Sequence, residues 1–419
     1  MWRMAVKNVL FIVTEINSAN GICSKAVMNE LSSAGYNVFC IVNKENELPE
    51  GHYTENDIQY YTVKPRLVYR LENKLNVMEK GIKKKCLACF TVAINKTKLF
   101  FSIPSWPLIS PLYAYRIYKK ARLVCKNENI DIIVPVYTKM DALIAAKRIK
   151  KENPKIKYFP YFLDSLSGGY GPRMFSKEWI IKRGLKWEKR LLTTADKIIL
   201  MKSSEEHHKK HSINREYYKK MVFLDLPLFM PDKYEEETKS SNGEIKELLF
   251  IGTILVQVRS PQKFFEVFRL INGDNYRLTI VGTNNCPELI DKAIKADRRI
   301  TVLPFVTHER AKELMSSADF LVNFGNNDVS MTPSKIFEYM STGRPIISTV
   351  PVENEPGTHY LKKYPLYCML NEYCESTEEM AENLRVFLES PKENRAEVNY
   401  LMDDFYLNTP KAFAECINN

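Results

Sequence analysis

The run Thr332–Thr349, TPSKIFEYMSTGRPIIST, holds a cap, a helix, a glycine stop and a β-branched strand in a single short stretch. Thr332 can cap a helix that opens with Pro333, a residue with no N–H to lose there. Gly343 offers a left-handed exit, and Pro345 keeps the helix from resuming. The residues from Pro345 onward then restart as a strand. Upstream, ADFLVNFGNNDVS, Ala318–Ser330, reads as a strand ending in a loop rich in Gly and Asn. In an open α/β sheet, phosphorylated ligands sit where strand ends feed helix N-termini, because unpaired N–H groups and the helix dipole point at the anion. Glu338, one turn inside this helix, could accept hydrogen bonds from a ribose diol.

Working outward, 419 residues suit two domains, and 45% apolar with 26% charged residues is ordinary for a globular chain. The charge of +11 is uneven: 42 Lys+Arg face 25 Asp+Glu up to Ser240, leaving 19 against 25 beyond it. The basic half calls for an acidic partner, either a phosphorylated substrate or anionic lipid. No RNA-binding or helix-turn-helix pattern is present, so nucleic acid is not expected. Nine scattered cysteines point to reduced thiols in a cytoplasmic chain. Cys86 and Cys89 have redox spacing without a second pair, and read as buried or interfacial apolar thiols. Val9–Val13 is too short for a signal peptide and reads as the first strand, and no stretch is apolar for long enough to span a membrane.

The chain opens as strand, loop, helix and strand, with Gly21 where the loop enters the helix. There is no G-x-G-x-x-G, so no nicotinamide or flavin fingerprint. From 64 to 126 lies an insertion with Lys83-Lys84-Lys85, an apolar run, and FFSIPSWPLISPLYAYRIYKK, whose prolines exclude a regular spanning helix. Lys83 to Lys120 suits either an interfacial segment on the cytoplasmic face of the inner membrane or a helical insertion packed on the first domain. Strands over Ile130–Tyr137 and Ile156–Leu163 follow, the second ending at Asp164. A Gly/Ser loop with Arg173 leads to a helix over Trp179–Thr194 and the strand Lys197–Met201. His207 and His211 share a helical face, but His208 stands where a zinc peptidase needs Glu, so a solvated helix and no metal is the reading.

The polar run Pro231–Glu244 is the expected linker, giving domains of 1–235 and 245–400 and a C-terminal helix over 401–419. ELLFIG leads into Gly252. In TILVQVRSPQKFF, Arg259 and Lys263 flank a helix start at Ser260-Pro261, which suits a pyrophosphate. Strands at YRLTIVG and Ile300–Leu303 precede Phe305, and helices over Thr377–Leu388 and Asn394–Cys416 close the chain.

The Thr332–Thr349 string resembles the donor-binding signature of GT-B glycosyltransferases, especially the retaining family 4, in Pro333, Ser334, Lys335, Phe337, Glu338, Tyr339, Gly343, Pro345 and Ile346. Ala195-Asp196-Lys197-Ile198-Ile199 resembles a phrase of the family's first domain. The chain departs at Ser330, where many members carry Glu. The resemblance implies an α/β GT-B architecture of two Rossmann-like domains facing across a cleft, with the C-terminal helix crossing back to the first. It implies a nucleotide-sugar donor bound by Gly21, Gly252, Arg259, Lys263, Phe305, Ser334, Lys335 and Glu338. Asp164, Arg259 and Lys263 are then the catalytic set, Glu338 holds the ribose, and no metal or other cofactor is needed. The expected partners are a nucleotide sugar, a glycan or lipid-linked acceptor of surface-polysaccharide synthesis, and an anionic membrane. The alternatives are a nucleotide-sugar isomerase or epimerase of the same fold and a non-catalytic partner subunit.

Overall fold

A computed structural model describes residues 6–45, 51–79, 81–102, 106–169, 171–172, 174–231, 234, 245–329, 332–390 and 395–418. The chain divides into two compact units, Met1–Pro227 with Pro410–Asn419, and Leu228–Thr409.

The first unit runs β1 (Asn8–Val13), α1 (Ala19–Ser33), β2 (Asn37–Asn43), β3 (His52–Glu55), β4 (Ile58–Val63), α2 (Leu67–Val77), α3 (Ile82–Ser102), α4 (Pro111–Asn127), β5 (Ile132–Pro135), α5 (Met140–Glu152), β6 (Lys157–Tyr158), β7 (Tyr161–Phe162), α6 (Lys177–Leu192), β8 (Ile198–Met201), α7 (Glu205–Ser212) and β9 (Met221–Leu224). Its sheet has the order β3-β4-β2-β1-β5-β6, and β7-β8-β9 continues it through a parallel bridge between Val136 and Tyr161. Every pairing is parallel except the hairpin β3–β4, whose turn residues Asn56 and Asp57 take positive φ. VLFIV and VFCIV are unbroken apolar runs because both faces of these strands are covered. The strand expected over Ile156–Leu163 is two short pieces. Pro160 has no N–H to give the ladder, although the Phe159 N–H still reaches the Ile133 carbonyl at 3.0 Å.

The second unit runs β10 (Lys246–Ile251), α8 (Gln262–Leu270), β11 (Tyr276–Val281), α9 (Pro287–Ala296), β12 (Ile300–Leu303), α10 (His308–Ser317), β13 (Phe320–Asn323), α11 (Lys335–Ser341), β14 (Ile346–Thr349), α12 (Pro356–Leu361), β15 (Tyr367–Leu370) and α13 (Thr377–Glu389). Its all-parallel sheet has the order β12-β11-β10-β13-β14-β15, a doubly wound Rossmann-like arrangement that reverses between β10 and β13. The core packs Phe250, Phe264, Phe268 and Phe324 between sheet and helices.

Several expectations need correction. The unit boundary falls at Pro227/Leu228, ahead of the polar run, because Met230 N–H donates to Ser341 Oγ at 2.8 Å and the Tyr234 carbonyl accepts from Arg395 at 3.0 Å. The rest of the expected linker, 232–233 and 235–244, lies outside the described residues. No helix spans Asn394–Cys416. Two 3-10 turns, Asn399–Met402 and Tyr406–Asn408, precede α14 (Pro410–Asn418), since a proline with no N–H is at home only in a helix's first turn. The α14 helix returns to the first unit, where Phe413 packs edge-on against Tyr161 at 4.7 Å. Pro333 stays outside α11, its ring packed near Gly357, so the helix starts two residues later than Thr332 capping would give.

The 64–126 insertion has two characters. Helix α4 is core, burying Tyr113, Ile117, Tyr118, Ala121 and Val124, which removes Pro111–Lys120 from the expected interfacial segment. Helices α2 and α3 pack on each other, with Ile82, Phe90, Val92 and Phe100 exposed on α3. Cys86 and Cys89 are exposed there too, where buried or interfacial thiols were expected. No helix among the described residues is long and apolar enough to cross a membrane.

Candidate active site

The second unit's site lies at the carboxyl ends of β10 to β13, where the strand order reverses. Gly252 and Gly282 end β10 and β11 with φ of 156° and 131°, and a Cβ on Gly282 would come within 2.0 Å of the Gly252 carbonyl oxygen. Only glycine allows this close approach of backbones. The loop after β10 is tied down by Ile254 N–H to the Thr283 carbonyl (2.8 Å) and Val256 N–H to Asn285 Oδ1 (2.9 Å). The loop after β13 joins it through Asn327 N–H to the Val258 carbonyl at 2.7 Å. Glu355, which sequence reasoning passed over, is buried behind this loop. Its carboxylate accepts from the N–H of Asn326 (3.3 Å) and caps α12 through Thr358 (3.0 Å). An acidic residue directly before Pro356 is the capping signal that could have marked it.

Arg259 stands at the end of the first of these loops, half-buried. Burial works against its charge and lowers its pKa, an effect that Tyr339 and Glu355 offset only in part. Among the described residues its guanidinium makes no hydrogen bond or ion pair, so its donors are available to an anion. Lys263 differs, as its ammonium donates to Thr377 Oγ1 at 2.7 Å and lies 3.5 Å from Glu266. Helix α8 begins at Gln262 with Pro261 before it, and Ser260 Oγ accepts the Gln262 N–H at 3.4 Å.

Helix α11 is anchored by Tyr339, whose buried hydroxyl accepts from Ile251 N–H at 3.1 Å and donates to the Ile251 carbonyl at 3.3 Å. The anchor fixes the helix against the end of β10 and so fixes Glu338. That residue is 3% exposed, and its Oε2 takes Lys335 Nζ at 2.8 Å. Its Oε1 has no partner among the described residues and can accept a hydroxyl. His308, at the start of α10, titrates below its ordinary value, because desolvation outweighs the pull of Glu338. Ser334 precedes α11 without a side-chain cap bond. Phe305 is 76% exposed on the loop after β12, an uncovered ring at the sheet's carboxyl edge. Ser330 lies outside the described residues.

The two remaining sequence-derived residues belong to the first unit. A Cβ on Gly21 would fall 2.1 Å from the Ile16 carbonyl oxygen, so glycine is needed for the loop to fold back on α1. The Gly21 N–H is occupied by the capping Ser18 Oγ at 3.2 Å, so the residue's role is close approach rather than a free donor. Asp164, exposed after β7, accepts from Asn20 Nδ2 at 3.3 Å, and the same amide faces the Tyr137 carbonyl at 3.4 Å. Asn20 thus links the ends of two strands beside Asp164. Arg173 lies outside the described residues.

Below this edge the expected solvated helix α7 is in fact half-buried, because His208 is fully enclosed against Glu188 at 4.0 Å. Glu188 accepts Ser167 N–H at 2.9 Å, and Ser167 Oγ pairs with His207 Nε2 at 2.8 Å. Burial pushes Glu188 up to about 7 and pulls His207 and His208 down to about 4 and about 3. This cluster holds the loop that follows Asp164.

Residues 245–385 match the family described as glycosyl transferases group 1. No curated protein matches the sequence significantly. Among solved structures, sucrose-phosphate synthase from Thermosynechococcus elongatus aligns at 12% identity with a TM-score of 0.64, covering 98% of this chain and 97% of that one. WaaG, a glycosyltransferase involved in lipopolysaccharide biosynthesis, aligns at 14% and 0.56, covering 98% and 99%. An α,α-trehalose-phosphate synthase (UDP-forming) from Burkholderia xenovorans, in complex with glucose-6-phosphate, aligns at 9% and 0.60, covering 98% and 99%. With its two Rossmann-like units and an arginine and a buried glutamate at the reversal of the second sheet, the chain has the GT-B fold, and its residues 245–385 are a glycosyl transferases group 1 domain.

Proposed function

We propose that this chain is a glycosyltransferase that moves a sugar from a nucleotide-sugar donor, held by the second unit, to a glycan or lipid-linked acceptor of surface-polysaccharide synthesis. The observation that carries the reading is Arg259, a half-buried guanidinium without an ion-pair partner among the described residues, inside the matched domain and in the same unit as Glu338. As the glycosidic bond breaks, negative charge grows on the departing diphosphate, and a preorganised cation stabilises that charge without having to reorganise. Arg259 has this role, with Lys263 and Lys335 adding positive charge and Ser334 and Gly252 lining the approach. Glu338 Oε1 accepts the ribose hydroxyls, and Phe305 offers its ring to the base. Asp164 takes a proton from the acceptor or stabilises positive charge on the sugar ring. Retention of the anomeric configuration is part of the same proposal through the family 4 resemblance, and no step calls on a metal.

The acceptor reaches the enzyme at a membrane surface, which α3 contacts with its exposed Ile82, Phe90 and Phe100 beside Lys83, Lys84 and Lys85. Incubation with labelled nucleotide sugars, with and without lipid acceptors, tests the reading through release of the nucleoside diphosphate. Acceptor-dependent release and a glycosylated product are expected. Interconversion of the sugar without release would identify an isomerase, and no turnover with any donor would leave a binding subunit.

A further inference from the structure

The first unit contains a cavity of about 560 Å³ at the carboxyl ends of β2 and β4, walled also by α2 and α4. Five cations line it: Lys44, Lys64, Arg70, Lys74 and Lys120. The single acid of the wall among the described residues, Glu45, is engaged by neutral donors, Asn17 Nδ2 at 2.7 Å and the Tyr69 hydroxyl at 3.1 Å. Arg70, Lys74, Lys64 and Lys120 form no ion pair among the described residues. This concentration of charge is not required by the fold, since like charges around one cavity repel and each would be better solvated apart. The nearby Arg66 shows the contrast, because it is half-buried, pairs with Asp141 and lies over the Tyr113 ring.

We infer that this cavity binds a phosphate or diphosphate group, and that it recognises the anionic end of the acceptor. The second part rests on the transferase reading and the first does not. Arg70 and Lys74 sit one turn apart on α2, so both can reach one anion, with Lys64 on the β4–α2 connection and Lys120 on α4 closing around it. The site is distinct from the diphosphate site of the second unit, with which it shares no residue. The bound group is either a soluble sugar phosphate or the headgroup of a lipid-linked glycan.

The test is calorimetric titration with inorganic pyrophosphate at physiological salt. It uses full-length protein carrying Arg259→Ala, so that the second unit's site does not contribute. Adding Arg70→Ala and Lys74→Ala together should weaken binding by about tenfold or more, as expected for loss of charge-assisted hydrogen bonds. Both residues are exposed, so the fold is preserved, and an unchanged melting temperature verifies it. Lys83→Ala with Lys85→Ala removes the same charge from α3, outside the cavity, and should leave pyrophosphate affinity within twofold. Equal affinity in the Arg70/Lys74 variant, or an equal loss in the Lys83/Lys85 control, overturns the inference. Flotation with phosphatidylglycerol vesicles separates the two sources. Release of the protein by pyrophosphate supports a headgroup in the cavity, and retention alongside measured pyrophosphate binding supports a soluble phosphate. Absence of nucleoside diphosphate release from the wild-type protein would sink the transferase reading alone and leave the pyrophosphate result standing.

Discussion

At Arg259, burial and charge act in opposite directions: desolvation disfavours the guanidinium, the pull of Glu355 only partly opposes it, and no carboxylate among the described residues pairs with it. Such an arrangement holds together best when an anion arrives. Arg259→Ala should therefore lower kcat/KM by a factor corresponding to about 2 kcal/mol or more, with little change in melting temperature. Single-turnover kinetics on a folded variant checks this, and unchanged turnover would remove the assignment. Glu338→Gln should raise KM for the donor more than it lowers kcat, since ribose contacts form in ground and transition states alike. Both residues were legible in the sequence because each is tied to a local pattern, a loop before a proline-initiated helix or a helix before a glycine stop. Asn20 and the Tyr339 hydroxyl were not, because their partners are 144 and 88 positions away and no local pattern encodes such distances; for Glu355 the local signal marks the cap of α12, while its bond to Asn326, 29 positions away, has none. The Gly21 N–H shows the limit of the same reasoning, as its position was read correctly while its capping by Ser18 depends on loop geometry.

Elements were legible in proportion to how much of their character is local. The β1–α1–β2 opening and most of the strand-helix alternation of the second unit follow from apolar runs and caps, whereas β3 and β15 escaped notice because short edge strands carry little pattern, and β4 because IQYYTV holds no unbroken apolar run. The 64–126 insertion was ambiguous because α3 and α4 are both basic and apolar, and only the packing of Tyr113 and Ile117 identifies α4 as core. The remaining exposed face of α3 makes a prediction of its own. Flotation should be strong with anionic vesicles and weak with neutral ones, and should fall as salt rises. Equal recovery on both would remove the membrane role. Helix α6 packs so closely on the preceding loop that a Cβ on Gly184 would lie 2.5 Å from Ser167 Cα. Gly184→Ala should cost about 1 to 3 kcal/mol in urea denaturation.

The α6–α7 cluster also has a pH signature. Glu188 titrates higher in the folded chain than when unfolded, so its stabilising protonated form is lost as pH rises toward about 7. His207 and His208 titrate lower when folded, so their contribution is present above about 6.5 and lost as pH falls toward about 4 and about 3. The two effects oppose one another between pH 5 and 6.5. In Glu188→Gln only the histidine effect remains, so its melting temperature relative to wild type should climb steadily from pH 5 to pH 7. A constant offset across that range would contradict the assignment.

At the scale of the whole molecule, the doubled α/β alternation and the return of the C-terminus to the first unit were both readable, while the point of return was misplaced until Pro410 fixed it. Phe413 is buried against Phe11 and Tyr161, and the Cys416 carbonyl accepts Lys197 Nζ at 2.6 Å. Phe413→Ala should destabilise the first unit by about 3 to 5 kcal/mol. Hydrogen exchange should show faster opening of β1 and α1 with Leu228–Thr409 unchanged, and uniform acceleration in both units would deny that they respond separately. The same return has a consequence for biosynthesis. Helix α14 follows the second unit in the chain, so the sheet around Phe11 and Tyr161 must wait for it while Leu228–Thr409 is translated, roughly 10 to 40 seconds at ordinary elongation rates. During that interval the nascent first unit presents an uncovered apolar face, and it is then that a chaperone would have most to bind.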